Sequence, residues 1–127
     1  MSGNRYVENE YMIMEIIDGI LYTHYKQGIK LTLDIARQCV DEKIKFLQGI
    51  AYPAIVIDNG VISIDKQSRD YFASDMGVTG ITAAAFIRKS VFSKILIDFF
   101  LRISSPKIPS RAFVDTADAV KWLKGPK

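Results

Sequence analysis

Residues Ala54–Phe72 read AIVIDNGVISIDKQSRDYF, and their order decides the fold. Ala54–Ile57 is a short, wholly apolar run, the pattern of a strand buried on both faces. It stops at Asp58-Asn59-Gly60, a turn-forming cluster. A second apolar run, Val61–Ile64, leads to Asp65, placed to cap a helix beginning at Lys66. A strand that feeds a helix N-terminus is the unit of an α/β fold, and it leaves free backbone N–H groups at the junction.

Working outward, the same unit recurs. Upstream, Tyr11–Ile17 and Ile20–Tyr25 are β-rich and joined by Asp18-Gly19, a pair that takes positive φ and so predicts a tight hairpin. Thr32 predicts the start and Gly49 the stop of a helix over Leu33–Gln48. Its Ile35, Ala36, Cys39, Val40, Ile44 and Leu47 share one face. Lys43 falls inside that apolar arc, which predicts a stem lying over the core with its ammonium in water. Downstream, a short helix is expected over Lys66–Asp75, then a turn at Val78–Gly80 and a buried strand over Ile81–Ile87. The small Ala83-Ala84-Ala85 in that strand leave room for a helix to pack closely. Ser90 is placed to cap a third helix over Val91–Ser104, ended by Pro106 and Pro109. Arg111–Val114 predicts a last strand. Asp115 predicts the cap of a last helix, Thr116–Lys124, closed by Gly125-Pro126.

Strands that alternate with helices after an opening hairpin imply one central, largely parallel sheet covered by helices. The expected organisation is a loose leader over residues 1–10 and a single domain over residues 11–127. A chain of 127 residues with 49% hydrophobic and 24% charged content can build one such core. The longest apolar candidate, Val91–Ile103, is broken by Ser93, Lys94, Asp98 and Arg102 and is too short to cross a membrane. The opening MSGNRYVENEY has no apolar core of a signal peptide, and one cysteine forms no internal disulfide. The expected compartment is therefore the cytoplasm.

The net charge of +3 is unevenly spread. Residues 1–85 carry 8 basic and 11 acidic side chains, a net of −3, and residues 86–127 carry 9 and 3, a net of +6. No basic run exceeds Arg88-Lys89, and aromatic residues do not interleave with basic ones. A nucleic-acid partner is accordingly not expected.

Chemistry is sparse. His24 lies alone in a strand, and one His and one Cys far apart do not make a zinc site. Cys39 sits on an apolar helix face, where burial as a small hydrophobe is expected. Neither GxGxxG nor GxxxxGK[ST] occurs, so no nucleotide cofactor is expected, and no metal. In the third helix, Val91, Phe92, Ile95, Leu96, Phe99, Phe100 and Ile103 form one broad apolar face. Ile97 and Leu101, four apart, fall on the other side and form a candidate dimer surface.

The element order, with IVIDNGVISIDKQSRDYF at the third strand and second helix, resembles the STAS/SEC14 group, which includes the SpoIIAA-like anti-sigma-factor antagonists. Their motif is an apolar strand ending in Asp, a short apolar run, then Asp-Ser-Ser-Gly opening a helix. Asp58 and Asp65 stand where its two aspartates would lie. The block SSPKIPSRAFVDTADAVKWLKG, Ser104–Gly125, is similar to the C-terminus of small bacterial members. The resemblance implies an α/β, SpoIIAA-like (STAS-like) mixed central sheet with an N-terminal hairpin and about four helices. It implies a non-catalytic regulatory or protein-binding module, acting on another protein or on itself as a homodimer. Its SEC14 side implies, as the alternative, a small-molecule binder for a lipid, an apolar ligand or an anion. The partner- or anion-binding candidates are Asp58, Asn59, Gly60, Asp65 and Ser68. Where the antagonists carry the phosphorylated serine this chain has Gln67, which accepts no phosphoryl group. Ser68 would serve only after a one-residue shift of register.

Overall fold

The computed structural model describes residues 5–89 and 91–126. Its centre is a six-stranded mixed sheet built from β1 (Arg5–Glu8), β2 (Met12–Ile17), β3 (Ile20–Tyr25), β5 (Tyr52–Asp58), β7 (Ile81–Ile87) and β8 (Ser110–Phe113), in that spatial order. The first three strands are antiparallel neighbours, and β3, β5, β7 and β8 run parallel. A separate two-stranded ribbon pairs β4 (Lys30–Leu31) with β6 (Ser63–Ile64). The helices are α1 (Leu33–Leu47), α2 (Lys66–Ala73), α3 (Val91–Phe99) and α4 (Thr116–Lys124), with a π-helical turn over Phe100–Ser104 continuing α3. This is the expected α/β mixed sheet with an N-terminal hairpin and four helices.

Local chemistry accounts for most of these boundaries. Asp18 and Gly19 take φ of 52° and 76°, so Ile17 pairs directly with Ile20 in a two-residue hairpin. Thr32 Oγ1 accepts the Ile35 N–H at the start of α1, and Gln48 takes a left-handed φ of 53° to end it. Asp115 Oδ1 accepts the Ala117 N–H and starts α4. That helix lays Ala119 and Leu123 on Ala83, Ala85 and Ile87, so the small alanines do admit a close helix. Side chains alternate across the sheet, which leaves Met14, Leu21, Thr23, Ala54 and Ala84 on the opposite face, toward α1 and α2.

Two expectations are corrected. Residues 5–8 of the presumed leader form the edge strand β1, paired with β2 from Arg5–Ile16 to Glu8–Ile13. Arg5 Nη1 donates to the Phe46 carbonyl at 2.7 Å and its guanidinium lies 5.1 Å from the Phe46 ring centre. A contact 41 residues away thus holds a strand with little apolar signal of its own. The orientation of α3 is also rotated from the expected one, with Leu96 and Phe100 still inward and Ile97 joining them. Ile97 is buried at 8% exposure and Leu101 is half-buried, whereas Ile95, Phe99 and Ile103 are 60%, 45% and 58% exposed. Of the candidate dimer pair, Ile97 is thus covered within this chain, while Leu101 keeps part of its surface. The small Ser93, 2% exposed, turns inward with Ile97 one turn on, and the wider π-turn rotates the residues that follow. The expected cap Ser90 lies outside the described residues.

Candidate functional site

The aspartates singled out from the sequence each organise their own loop. Asp58 Oδ1 accepts the N–H groups of Gly60 and Val61 at 2.8 and 2.7 Å, closing the turn after β5. Asn59 receives the Lys89 ammonium on Oδ1 at 3.0 Å. Gly60 takes a φ of +122°, and its carbonyl accepts the Gly28 N–H at 2.8 Å. Asp65 Oδ1 accepts the Ser68 N–H at 2.8 Å and caps α2. The Ser68 hydroxyl is also within hydrogen-bond range of Asp65 Oδ1, at 2.6 Å, and of the Leu31 carbonyl, at 2.9 Å. These bonds from Ser68, the hydroxyl foremost, hold the Asp65 carboxyl below its usual range. Ser68 is fully buried. The Asp65 side chain thus occupies the position that a bound anion would take at this helix start.

A larger feature lies beneath α1, α2 and α3, with Tyr, Phe and Ile side chains among its walls. A cavity of about 170 Å³ opens between these helices and the sheet. Its floor includes Met14, Leu21, Val56 and Ala84, and Ala84 offers only a methyl where a larger residue would fill the space. Tyr25 and Phe72 meet edge to face on one wall, with ring centres 6.1 Å apart. Phe86 and Phe100 form another, at 5.5 Å. Leu96 and Ile97 of α3, with the π-turn, complete the cover. An apolar cavity of about 150 Å³ stays dry and takes up a molecule the size of benzene. This space is therefore large enough for a small ring or short chain.

The polar groups on its walls are few. Burial pushes the Cys39 thiol up to about 12 and the Tyr25 phenol above its usual range. Among the described residues, Lys43 is the one cationic side chain on the walls. The side chain is half-buried, its stem over the apolar face as expected. It donates to the Gly77 carbonyl at 2.6 Å, and burial lowers its pKa to about 8.

His24 Nε2 lies 3.3 Å from Glu15 Oε2, with the Tyr22 ring stacked at 6.5 Å. Thr23 and Tyr25 line the cavity, so strand alternation puts His24 on the other face of the sheet. The pair and the cavity are not one site. Among the described residues, no group of three or more His, Cys, Asp or Glu side chains is placed to hold a metal ion, and no helix is long and apolar enough to cross a membrane.

The model of a domain of unknown function, DUF7793, matches residues 14–127, nearly the whole sheet and all four helices. The chain belongs to the DUF7793 family. No curated protein is significantly similar to it. Among solved structures, this DUF7793 chain is similar to an uncharacterised protein of the DUF3478 family from Shewanella loihica PV-4, which has a SpoIIAA-like fold. The two share 14% sequence identity with a TM-score of 0.57, over 95% of this chain and 92% of the other. At that identity the likeness establishes the SpoIIAA-like fold, as the strand–turn–cap order of Ala54–Phe72 had implied, and nothing about activity.

Proposed function

We propose that this DUF7793 protein is a non-catalytic binding module for a small apolar molecule, held between the sheet and α3. The observation that carries this reading is the cavity of about 170 Å³ with almost wholly apolar walls. A natural core closes such a space, because each buried void forfeits dispersion contacts. A ligand of matching size restores them. Native mass spectrometry of protein purified from its host tests the reading. A bound adduct of low mass that is lost on denaturation is expected, and a clean apo mass counts against it.

Regulation through protein contact is a second reading, favoured by a different observation. Ile95, Phe99 and Ile103 lie at four-residue spacing on the outer side of α3 and its π-turn, and all three are exposed. Leu96, Ile97 and Phe100, on the same segment, line the cavity. A ligand that moves this segment would alter the surface a partner or second copy meets. The Asp58–Ser68 loop supports this reading less well, since Asp58, Asp65 and Ser68 are engaged by their own backbone. Its exposed residues include Asn59, Gly60, Ile62, Lys66 and Gln67. If Ile95→Glu or Ile103→Glu left a captured partner bound, contact through α3 would be excluded.

A further inference from the structure

We infer that the cavity selects small amphiphiles with an anionic head, a carboxylate above all, and that Lys43 is the residue that reads the head group. The inference rests on the proposal that the cavity binds a ligand at all, and goes on to name the chemical class of that ligand.

The argument starts from the placement of charge. The ionisable side chains on the walls are Tyr25, Cys39, Lys43 and Asp58. Lys43 stands near the start of β7, bonded to Gly77 in the segment leading into that strand. Asp58 ends β5 at the opposite end of the sheet's parallel strands, where it pairs in register with Tyr25. The cavity is therefore polarised along the strands, with a cation at one end and a carboxylate at the other. Asp58 is tied to the amides of Gly60 and Val61 and turns an anionic head away from its end. An ammonium has three donors, and the Gly77 carbonyl takes one, so two remain for an incoming acceptor.

The environment strengthens that contact. A charged hydrogen bond in a partly desolvated site is shorter and about twice as strong as one between neutral groups. Burial has already pushed Lys43 down toward neutrality, which an anionic head would reverse by stabilising the charged form. The volume admits a ring or a short chain as the tail, as already argued.

The test compares three molecules of matched tail, octanoate, octanol and octylamine, titrated calorimetrically into the full chain at neutral pH. Octanoate is expected to bind about tenfold more tightly than octanol, the increment of one charged hydrogen bond. Octylamine is expected to bind more weakly than either. In Lys43→Met, and in Lys43→Gln as a second variant, octanol binding should persist and the octanoate preference should vanish. If wild-type protein binds none of the three, the cavity reading itself fails. If it binds octanol and octanoate equally, or octylamine most tightly, the cavity reading stands and the role of Lys43 is overturned. Retention of the octanoate preference in either folded variant overturns it as well.

Discussion

Asp65 Oδ1 lies 2.8 Å from the Ser68 backbone nitrogen and 2.6 Å from the Ser68 hydroxyl, so one carboxylate oxygen meets both polar groups of the same residue. The hydroxyl also reaches the Leu31 carbonyl, which ties the start of α2 to the end of β4. Ser68→Ala should therefore destabilise the fold by about 1 kcal/mol, the net worth of a hydrogen bond lost from a buried site. Asp65→Ala should cost about 1 kcal/mol through loss of the cap. The double variant should cost less than both together, since the two residues share bonds. Urea denaturation of the three variants measures this. Wild-type stability in Ser68→Ala would mean that the buried hydroxyl contributes nothing.

Gly77 is buried, and a Cβ there would run into the carbonyl oxygens of Tyr71 and Phe72. Its own carbonyl accepts the Lys43 ammonium. Gly77→Ala should thus force apart α2 and the turn that follows it, at a cost of about 1–3 kcal/mol. A thermal melt unchanged from wild type would show that this turn gives way freely.

The orientation of α3 makes an opposed pair of substitutions. Ile97→Asp puts a carboxylate into the apolar cavity cover, where it loses hydration, and should destabilise by roughly 3 kcal/mol or more. Ile95→Asp changes a residue that is 60% exposed and should stay within about 0.5 kcal/mol of wild type. Equal effects in chemical denaturation would contradict the orientation of this helix.

Lys43 and Cys39 predict pH dependences of opposite sign. Burial lowers Lys43 from 10.5 to about 8, so between those values the unfolded chain holds more protons than the folded one. The cost of its burial is full below about pH 8 and is relieved as pH rises toward 10.5, which raises stability by about 1–3 kcal/mol. Burial raises Cys39 from 9.0 to about 12, so its contribution is full below pH 9.0 and is lost as pH climbs toward 12. The stability gap between Lys43→Met and wild type should narrow from pH 7 to pH 10. A gap that stays constant in denaturation titrations would show that the Lys43 ammonium is solvated.

How much of this was legible in the chain depends on how local the cause was. The hairpin turns on the positive φ of Asp18-Gly19, and α2 and α4 on Asp65 and Asp115, which accept amides within three residues. Those elements could be read directly, and β7 and α4 fall on their expected residues. β1 could not, because only Val7 of its four residues packs inward and its anchor is Phe46 in another element. The helical wheel of α3 failed for a related reason. A wheel shows which residues share a face but not which way that face turns; Ser93 and Ile97, one turn apart, are the buried pair, and the π-turn departs from 3.6-residue spacing only beyond Phe99. The candidate site divided in the same way. Asp58 and Asp65 were visible as turn and cap residues, but their bonds serve the fold. The cavity is a shortfall of volume among segments far apart in sequence, with Ala84, Phe100 and Ile108 each contributing one part of its wall. No local pattern records such a shortfall. Lys43, in the midst of an apolar helix face, was its one outward sign.

The central claim is that a small apolar molecule enters this cavity, and the chain carries its own reporters. The Met12 and Met14 side chains line the space, whereas Met76 is 52% exposed outside it. With methionine methyl groups labelled with carbon-13, titration with octanol should give saturable NMR shifts at Met12 and Met14 and leave Met76 in place. Non-saturating shifts common to all methyls, or no shift at Met12 and Met14 at the highest soluble concentration, would contradict the claim.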